Sequence, residues 1–175
     1  KQDTPSLASY LKGLGYATYA QHPYYASGWD RERVYPLLGF EHMDFIDDYT
    51  NVSYVRKYIS DASDMQHIID TYENKEAGKP AFIFNVTMQN HGGYTDVYPN
   101  FENDIQAQYN SDALNQYLSL IHKTDAALKD LVSYFSKADE KTVIVFFGDH
   151  QPSDAVANQI EMASGVDPSD MNSEQ

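Results

Sequence analysis

The chain has 175 residues, a formal net charge of −14 and no cysteine. That length suits one domain, and so acidic a chain would repel a phosphate polyanion, which argues against nucleic acid as a partner. The lack of Cys excludes disulfides, thiol catalysis and Cys-based zinc sites. Hydrophobic residues make up 42% of the chain, enough for a packed core despite a mean hydropathy of −0.58. No apolar run approaches the roughly 18 to 20 residues of a membrane span, and the polar opening from Lys1 to Pro5 does not read as a signal peptide. The 15 tyrosines suit wet clefts and carbohydrate-like ligands, and equally suit half-buried packing positions.

Thr4-Pro5 reads as an N-cap with Pro at the first helical position, followed by Leu7, Tyr10, Leu11 and Leu14 at helical spacing and a stop at Gly13 and Gly15. Residues 16–20 are predicted as a short strand leading into a loop over 21–30. Residues 31–38 are predicted as a short helix, and residues 40–46 hold another short strand. Met65, Ile68, Ile69 and Tyr72 share one face of a helix predicted over 62–72. Gly78-Lys79-Pro80 breaks the chain before Ala81–Val86, a nearly continuous apolar run expected to be a strand buried on both faces. A long polar loop follows, from Gln89 to about Asn110, and loops of that length are often functional. Ser111 can cap the longest helix, predicted over 112–136, with Leu114, Tyr117, Leu118, Ile121, Leu128, Leu131, Val132 and Phe135 as its buried stripe. Asp125 falls on the apolar side of that stripe and is expected to need a hydrogen-bonding partner. Residues 142–147, Thr-Val-Ile-Val-Phe-Phe, are expected to be a second buried strand, and residues 165–175 a loose tail. Strand, helix and strand in that order predict an α/β fold with a mostly parallel sheet flanked by helices. Two glycosylation sequons, at Asn51 and Asn85, read as chance, the second because it lies in an expected core strand.

In open α/β sheets, ligands bind beyond the C-terminal ends of the strands. Two polar clusters stand there: residues 87–93, which include His91 and two glycines, and residues 148–151, Gly-Asp-His-Gln. Asp149 and His150 offer an oxygen and an imidazole nitrogen for a divalent cation, and Gly148 lets the backbone turn so that both reach one point. A helix-capping Asp beside a packed His would account for the same dipeptide. His91 can donate a proton or stabilise an oxyanion, or simply be a satisfied loop histidine. A third cluster, residues 22–31, holds His22, the single Trp (Trp29) and Arg31. Arg can grip phosphate bidentately and Trp can cover a polyol face; a loop-anchoring Trp beside a solvated Arg is the plainer alternative.

Taken in order, these clusters resemble one family. Val143-Ile-Val-Phe-Phe-Gly-Asp-His150 is similar to the metal-binding segment of lipoteichoic acid synthases, phosphoglycerol transferases of the sulfatase-like branch of the alkaline phosphatase superfamily. Phe84-Asn-Val-Thr-Met-Gln-Asn-His91 resembles their strand ending in an active-site His. Gln21-His-Pro-Tyr-Tyr-Ala-Ser-Gly-Trp-Asp-Arg31 resembles the segment around their glycerophosphate pocket. Tyr117 to Phe135 resembles the helix between, and the likeness covers about residues 4–152.

The resemblance implies that Asp149 and His150 ligate a divalent metal, manganese in this family. It implies that His91 contacts the substrate phosphate or leaving group, and that His22, Trp29 and Arg31 shape the glycerophosphate site. The implied reaction moves phosphoglycerol from phosphatidylglycerol, or a related anionic glycerophospholipid, through a Thr nucleophile to a polyglycerolphosphate acceptor. It takes place on the extracellular face of a bacterial membrane. Nothing before His22 matches the family segment carrying that Thr and a Glu ligand, nor its membrane-spanning part. The expectation is therefore a central piece of a catalytic domain, inactive by itself and holding manganese weakly. Two other readings stay open: another enzyme of the superfamily (a sulfatase, phosphoethanolamine transferase or phosphodiesterase), or a non-catalytic domain that kept the fold.

Overall fold

The computed structural model describes residues 4–108 and 111–167. The first helix, α1 (Leu7–Gly13), begins two residues later than Thr4-Pro5 suggests, because Ser6 forms the cap. Its side chain accepts from the Ser9 backbone N–H at 3.1 Å, and Ser9 returns the bond to the Ser6 N–H at 2.9 Å. Strand β1 (Ala17–Gln21) follows, then α2 (Arg31–Leu37), β2 (His42–Asp44), a hairpin of β3 (Tyr54–Val55) and β4 (Tyr58–Ile59), and α3 (Asp61–Asn74). Strand β5 (Ala81–Asn85), α4 (Asp112–Phe135) and α5 (Asp154–Ala163) complete the order. Ser60 and Ser111 cap α3 and α4 by accepting from the backbone N–H groups of Ser63 and Leu114.

The main sheet is parallel, in the order β2-β1-β5, with Tyr19 opposite both His42 and Ile83. Side-chain alternation assigns the two faces. Ala20, Phe82 and Phe84 pack with Ala8 of α1, Tyr35 of α2 and Phe40. Gln21 and Asn85 point the other way and bond to Thr71 and Asp64 of α3. Met65 and Ile69 of α3 then pack on Ala127 and Leu131 of α4. Gly39 closes the turn after α2 at φ +96°, where a Cβ would come within 2.7 Å of the Ser9 Cα, so the approach of α1 needs glycine.

Four expectations change. Thr142–Phe147 belongs to no strand, and its side chains stand in water, Val143 at 88% exposure. An apolar run can be buried only against a matching surface, and among the described residues it has neither a ladder partner nor a cover. Second, β5 is half-buried along its length, since it is an edge of this sheet. Third, α4 is turned from its apolar stripe: Ile121 and Val132 are exposed, whereas Asn115, Gln116, Ser119 and Thr124 are buried. Asp125 consequently faces water and needs no structural partner. Fourth, α5 forms after Pro152, where no element is predicted from the sequence, with Val156 fully buried against the α4 side. Most of the expected tail, residues 168–175, lies outside the described residues, as do residues 109–110 of the long loop.

Candidate functional site

Four of the residues singled out in the sequence meet beyond the C-terminal ends of β1 and β5. His22 directly follows β1. It is buried, and its Nδ1 lies 2.7 Å from the carbonyl oxygen of Val86, just past β5. A carbonyl only accepts, so Nδ1 carries the proton and Nε2 is left as an acceptor. Nε2 has no partner among the described residues. Burial lowers the His22 pKa to about 4, with Arg31 and His91 adding to the shift, so the ring is neutral at physiological pH.

Trp29 stands edge-on to His22, ring centroids 6.4 Å apart, and to His91 at 6.2 Å. Tyr58 closes on His91 at 5.9 Å and on Tyr24 at 6.2 Å, and Tyr24 returns to His22 at 6.1 Å. Five rings from three separate segments thus form a closed circuit. Trp29 keeps 63% of its surface exposed although it is the largest side chain present. Trp29 and Asp30 both adopt left-handed backbone, φ 54° and 57°. Two consecutive non-glycine residues in that region are strained, a feature that clusters at ligand sites.

The Arg31 guanidinium lies 4.5 Å above the Trp29 ring. It donates from Nε to the Tyr35 hydroxyl at 3.0 Å and from Nη1 to the Gly28 carbonyl at 3.3 Å. Two of its five N–H groups are thereby used, which fixes the plane and leaves the remaining donors for a ligand. Arg33 takes the adjacent carboxylate, Asp30, so Arg31 is not neutralised by it.

His91 lies in the loop after β5, with Nδ1 3.4 Å from the Tyr58 hydroxyl. Its pKa is lowered, first by burial and then by the charges of Lys57, His150 and Arg56, while Asp149 opposes the shift. Asp149 and His150 are therefore electrostatic neighbours of His91, although they come from the exposed stretch after residue 147. Both are exposed, and their bonds are local: the His150 N–H donates to Asp149 Oδ1 at 3.0 Å, and His150 Nδ1 lies 2.7 Å from the Gln151 carbonyl. Among the described residues no third His, Asp or Glu gathers with them into a metal-binding set. Two exposed donors that bond to each other and to the next residue do not make a metal centre by themselves. Tyr58 and the basic pair Arg56-Lys57, on the β3–β4 hairpin, are site neighbours that sequence reasoning missed. Among the described residues no helix is long and apolar enough to cross a membrane.

A parallel α/β sheet with a polar site beyond its strand ends, flanked by helices, is the architecture of the alkaline phosphatase and sulfatase-like enzymes. The Sulfatase family model matches residues 1–163, and the chain belongs to that family. Among curated proteins it is 33% identical, over 85% of its length, to a Rhizobium meliloti (strain 1021) protein named for cyclic beta-1,2-glucan modification. It is 30% identical, over 81% of its length, to the capsular polysaccharide biosynthesis protein RkpI of the same organism. The chain spans about a quarter of these relatives, 24% and 25% of their lengths. Among solved structures it is similar to the lipoteichoic acid synthase LtaP of Listeria monocytogenes (TM-score 0.63, 20% identity, 77% of this chain and 33% of that one). It is likewise similar to the phosphoglycerol transferase GacH of Streptococcus pyogenes, solved with sn-glycerol-1-phosphate (TM-score 0.57, 23% identity, 72% of this chain and 34% of that one).

Proposed function

We propose that this chain forms the glycerophosphate-binding part of a phosphoglycerol transferase. The observation that carries the reading is the Arg31–Trp29–His22 arrangement: a guanidinium with free donors, fixed over an exposed indole, beside a neutral imidazole with a free acceptor nitrogen. Arg31 donates to phosphate oxygens and the Trp29 ring covers the glycerol carbons, with the buried, neutral His22 ring packed edge-on behind the indole. His91, kept largely neutral by burial and by Lys57, contacts the phosphate or the leaving oxygen. In a chain of net charge −14, Arg31 and Lys57 give the rim local positive charge suited to an anionic headgroup.

The donor in this reading is phosphatidylglycerol or a related anionic glycerophospholipid, met at a membrane surface on the outer face of a bacterial cell. Asp149 and His150 contribute two ligands to a divalent cation, manganese in the proposal. Its other ligands and the Thr nucleophile belong to segments beyond these 175 residues. For the acceptor there are two readings. A polyglycerolphosphate end is the reading in keeping with the likeness to a lipoteichoic acid synthase, whereas a glycan hydroxyl is favoured by the two relatives named for glucan modification and capsular polysaccharide biosynthesis.

The test uses the full-length protein with phosphatidylglycerol vesicles and either acceptor, following diacylglycerol release and glycerophosphate on the acceptor. Arg31→Lys, which keeps the charge and loses the fork, is expected to lower kcat/KM by about tenfold or more. Release of sulfate from an aryl sulfate without glycerophosphate transfer would overturn the reading in favour of a sulfatase.

A further inference from the structure

Arg56 has no part in the circuit of rings, yet it is only 4% exposed, and no carboxylate lies within ion-pair distance among the described residues. A buried guanidinium without a counter-ion depends on hydrogen-bond acceptors, and although Nε has none among the described residues, both Nη groups are supplied. Arg56 finds three acceptors in one short stretch of backbone. Nη2 donates to the carbonyls of Gln89 and His91, each at 2.8 Å, and Nη1 donates to the carbonyl of Gly93 at 2.8 Å. A longer contact of 3.4 Å from Nη1 reaches the Gln116 side chain on α4. The rings of Tyr58, Tyr94 and Tyr98 surround the charge at 5.7, 5.7 and 5.9 Å.

Arg56 is itself fixed. It opens the two-residue turn between β3 and β4 in left-handed backbone, φ 56°, and its carbonyl accepts from the Asn100 side chain at 2.9 Å. The next residue but one is Tyr58, whose hydroxyl faces His91 Nδ1. One hairpin therefore holds the His91 loop twice, by three backbone carbonyls and by the imidazole. The carbonyls of residues 89, 91 and 93 alternate along the loop, and a planar fork can reach all three where a single ammonium cannot do so with the same geometry.

We propose that Arg56 is a positioning residue, a guanidinium clamp that sets the His91 loop against Trp29 and so fixes where His91 meets the substrate. The functional half of this statement rests on the phosphoglycerol transferase reading; the structural half does not.

The experiment compares Arg56→Lys and Arg56→Gln with wild type in the full-length protein. The first measurement needs no activity: hydrogen exchange at the His91 amide, which donates to the Met88 carbonyl at 3.0 Å, against amides inside α4. The expected result is exchange at His91 faster by about tenfold or more in both variants, with the α4 amides and the unfolding midpoint of Arg56→Lys close to wild type. The second measurement is steady-state transfer, where kcat is expected to fall by about tenfold or more while KM for the lipid changes less than about threefold. Unchanged His91 exchange in Arg56→Lys overturns the proposal, because charge alone then suffices. Equal loosening of α4 and the loop also overturns it, since Arg56 would then support the fold at large. A loosened loop with undiminished kcat would overturn the positioning role. If wild type transfers no phosphoglycerol, the function reading fails, and the exchange measurement still decides the clamp.

Discussion

Replacing Asp64 with Asn should make the protein more stable at alkaline pH and not at acid pH, the reverse of what losing a useful charge would do. Asp64 is fully buried on the first turn of α3. Tyr49 donates to its Oδ1 at 2.7 Å and the Asn85 amide donates to its Oδ2 at 2.8 Å. These bonds and the helix N-terminus favour the carboxylate, but burial dominates, and nearby Asp61 adds to it, raising the pKa from 3.8 to about 7. The native state then holds a proton that the unfolded state has released, so this group's contribution falls as pH rises from about 4 to 7 and is level above. Integrated from pH 5 to pH 8, the loss is about 2–3 kcal/mol. In Asp64→Asn the side-chain oxygen still accepts from Tyr49. Its new amide can donate to Asn85 once that amide turns over, using an Asn85 oxygen that now lacks a partner. Urea unfolding of both proteins at pH 5 and pH 8 should show the variant gaining about 2–3 kcal/mol on wild type across that interval. Other titrating groups, His22 included, largely cancel in the difference. A gap between the two proteins that does not change with pH would refute the argument.

His22 should act in the opposite sense. Its folded pKa of about 4 lies below the ordinary 6.5, so its contribution of about 3 kcal/mol is complete above pH 6.5 and lost as pH falls towards 4. His22→Asn keeps a donor for the Val86 carbonyl, and thermal unfolding of the variant should show a correspondingly shallower decline between pH 6.5 and 4. For the metal, calorimetry of these 175 residues with manganese should show affinity no tighter than millimolar, the level expected of two exposed donors; micromolar binding would reveal ligands not identified here.

Much of the architecture was legible because it depends on local rules. The Ser111 cap, 3.6-residue periodicity and the apolar run at Ala81–Val86 mark the helices and β5 to within one or two residues, apart from α5, although the cap of α1 is Ser6 and not the expected Thr4. The face of α4 was not legible. Its buried polar side chains serve the loop before it: Ser119 Oγ accepts from the Ile105 N–H at 2.9 Å, Asn115 Oδ1 from the Ala107 N–H at 2.7 Å, and Gln116 Nε2 donates to the Asp96 carbonyl at 2.9 Å. A periodicity of apolar residues cannot register a helix face whose task is to satisfy someone else's backbone. The site divides in the same way. His22, Trp29, Arg31 and His91 carry motif-like neighbours and were singled out. The hairpin with Arg56, Lys57 and Tyr58 has two-residue strands and a turn lacking Gly or Asn, so neither alternation nor turn chemistry announces it.

The segment before Asp149 separates two things that hydrophobicity is often asked to do at once. Val143 to Phe147 says plainly that burial would be favourable; it says nothing about the surface that provides it. In a three-stranded sheet with β5 half-buried at one edge, the run lies outside the ladder, and Val145 is 76% exposed. A charged residue at Val145 should then be nearly free of consequence. Val145→Lys in these 175 residues is expected to change unfolding free energy by no more than about 0.5 kcal/mol, the range of ordinary surface substitutions. A strand buried on both faces would respond differently: losing a packed Val and stranding an ammonium among apolar side chains costs several times that amount. Urea unfolding monitored by Trp29 fluorescence distinguishes the two. A loss of about 2 kcal/mol or more would mean that the run is docked, and that Asp149 and His150 are held by a strand end in the way their sequence first suggested.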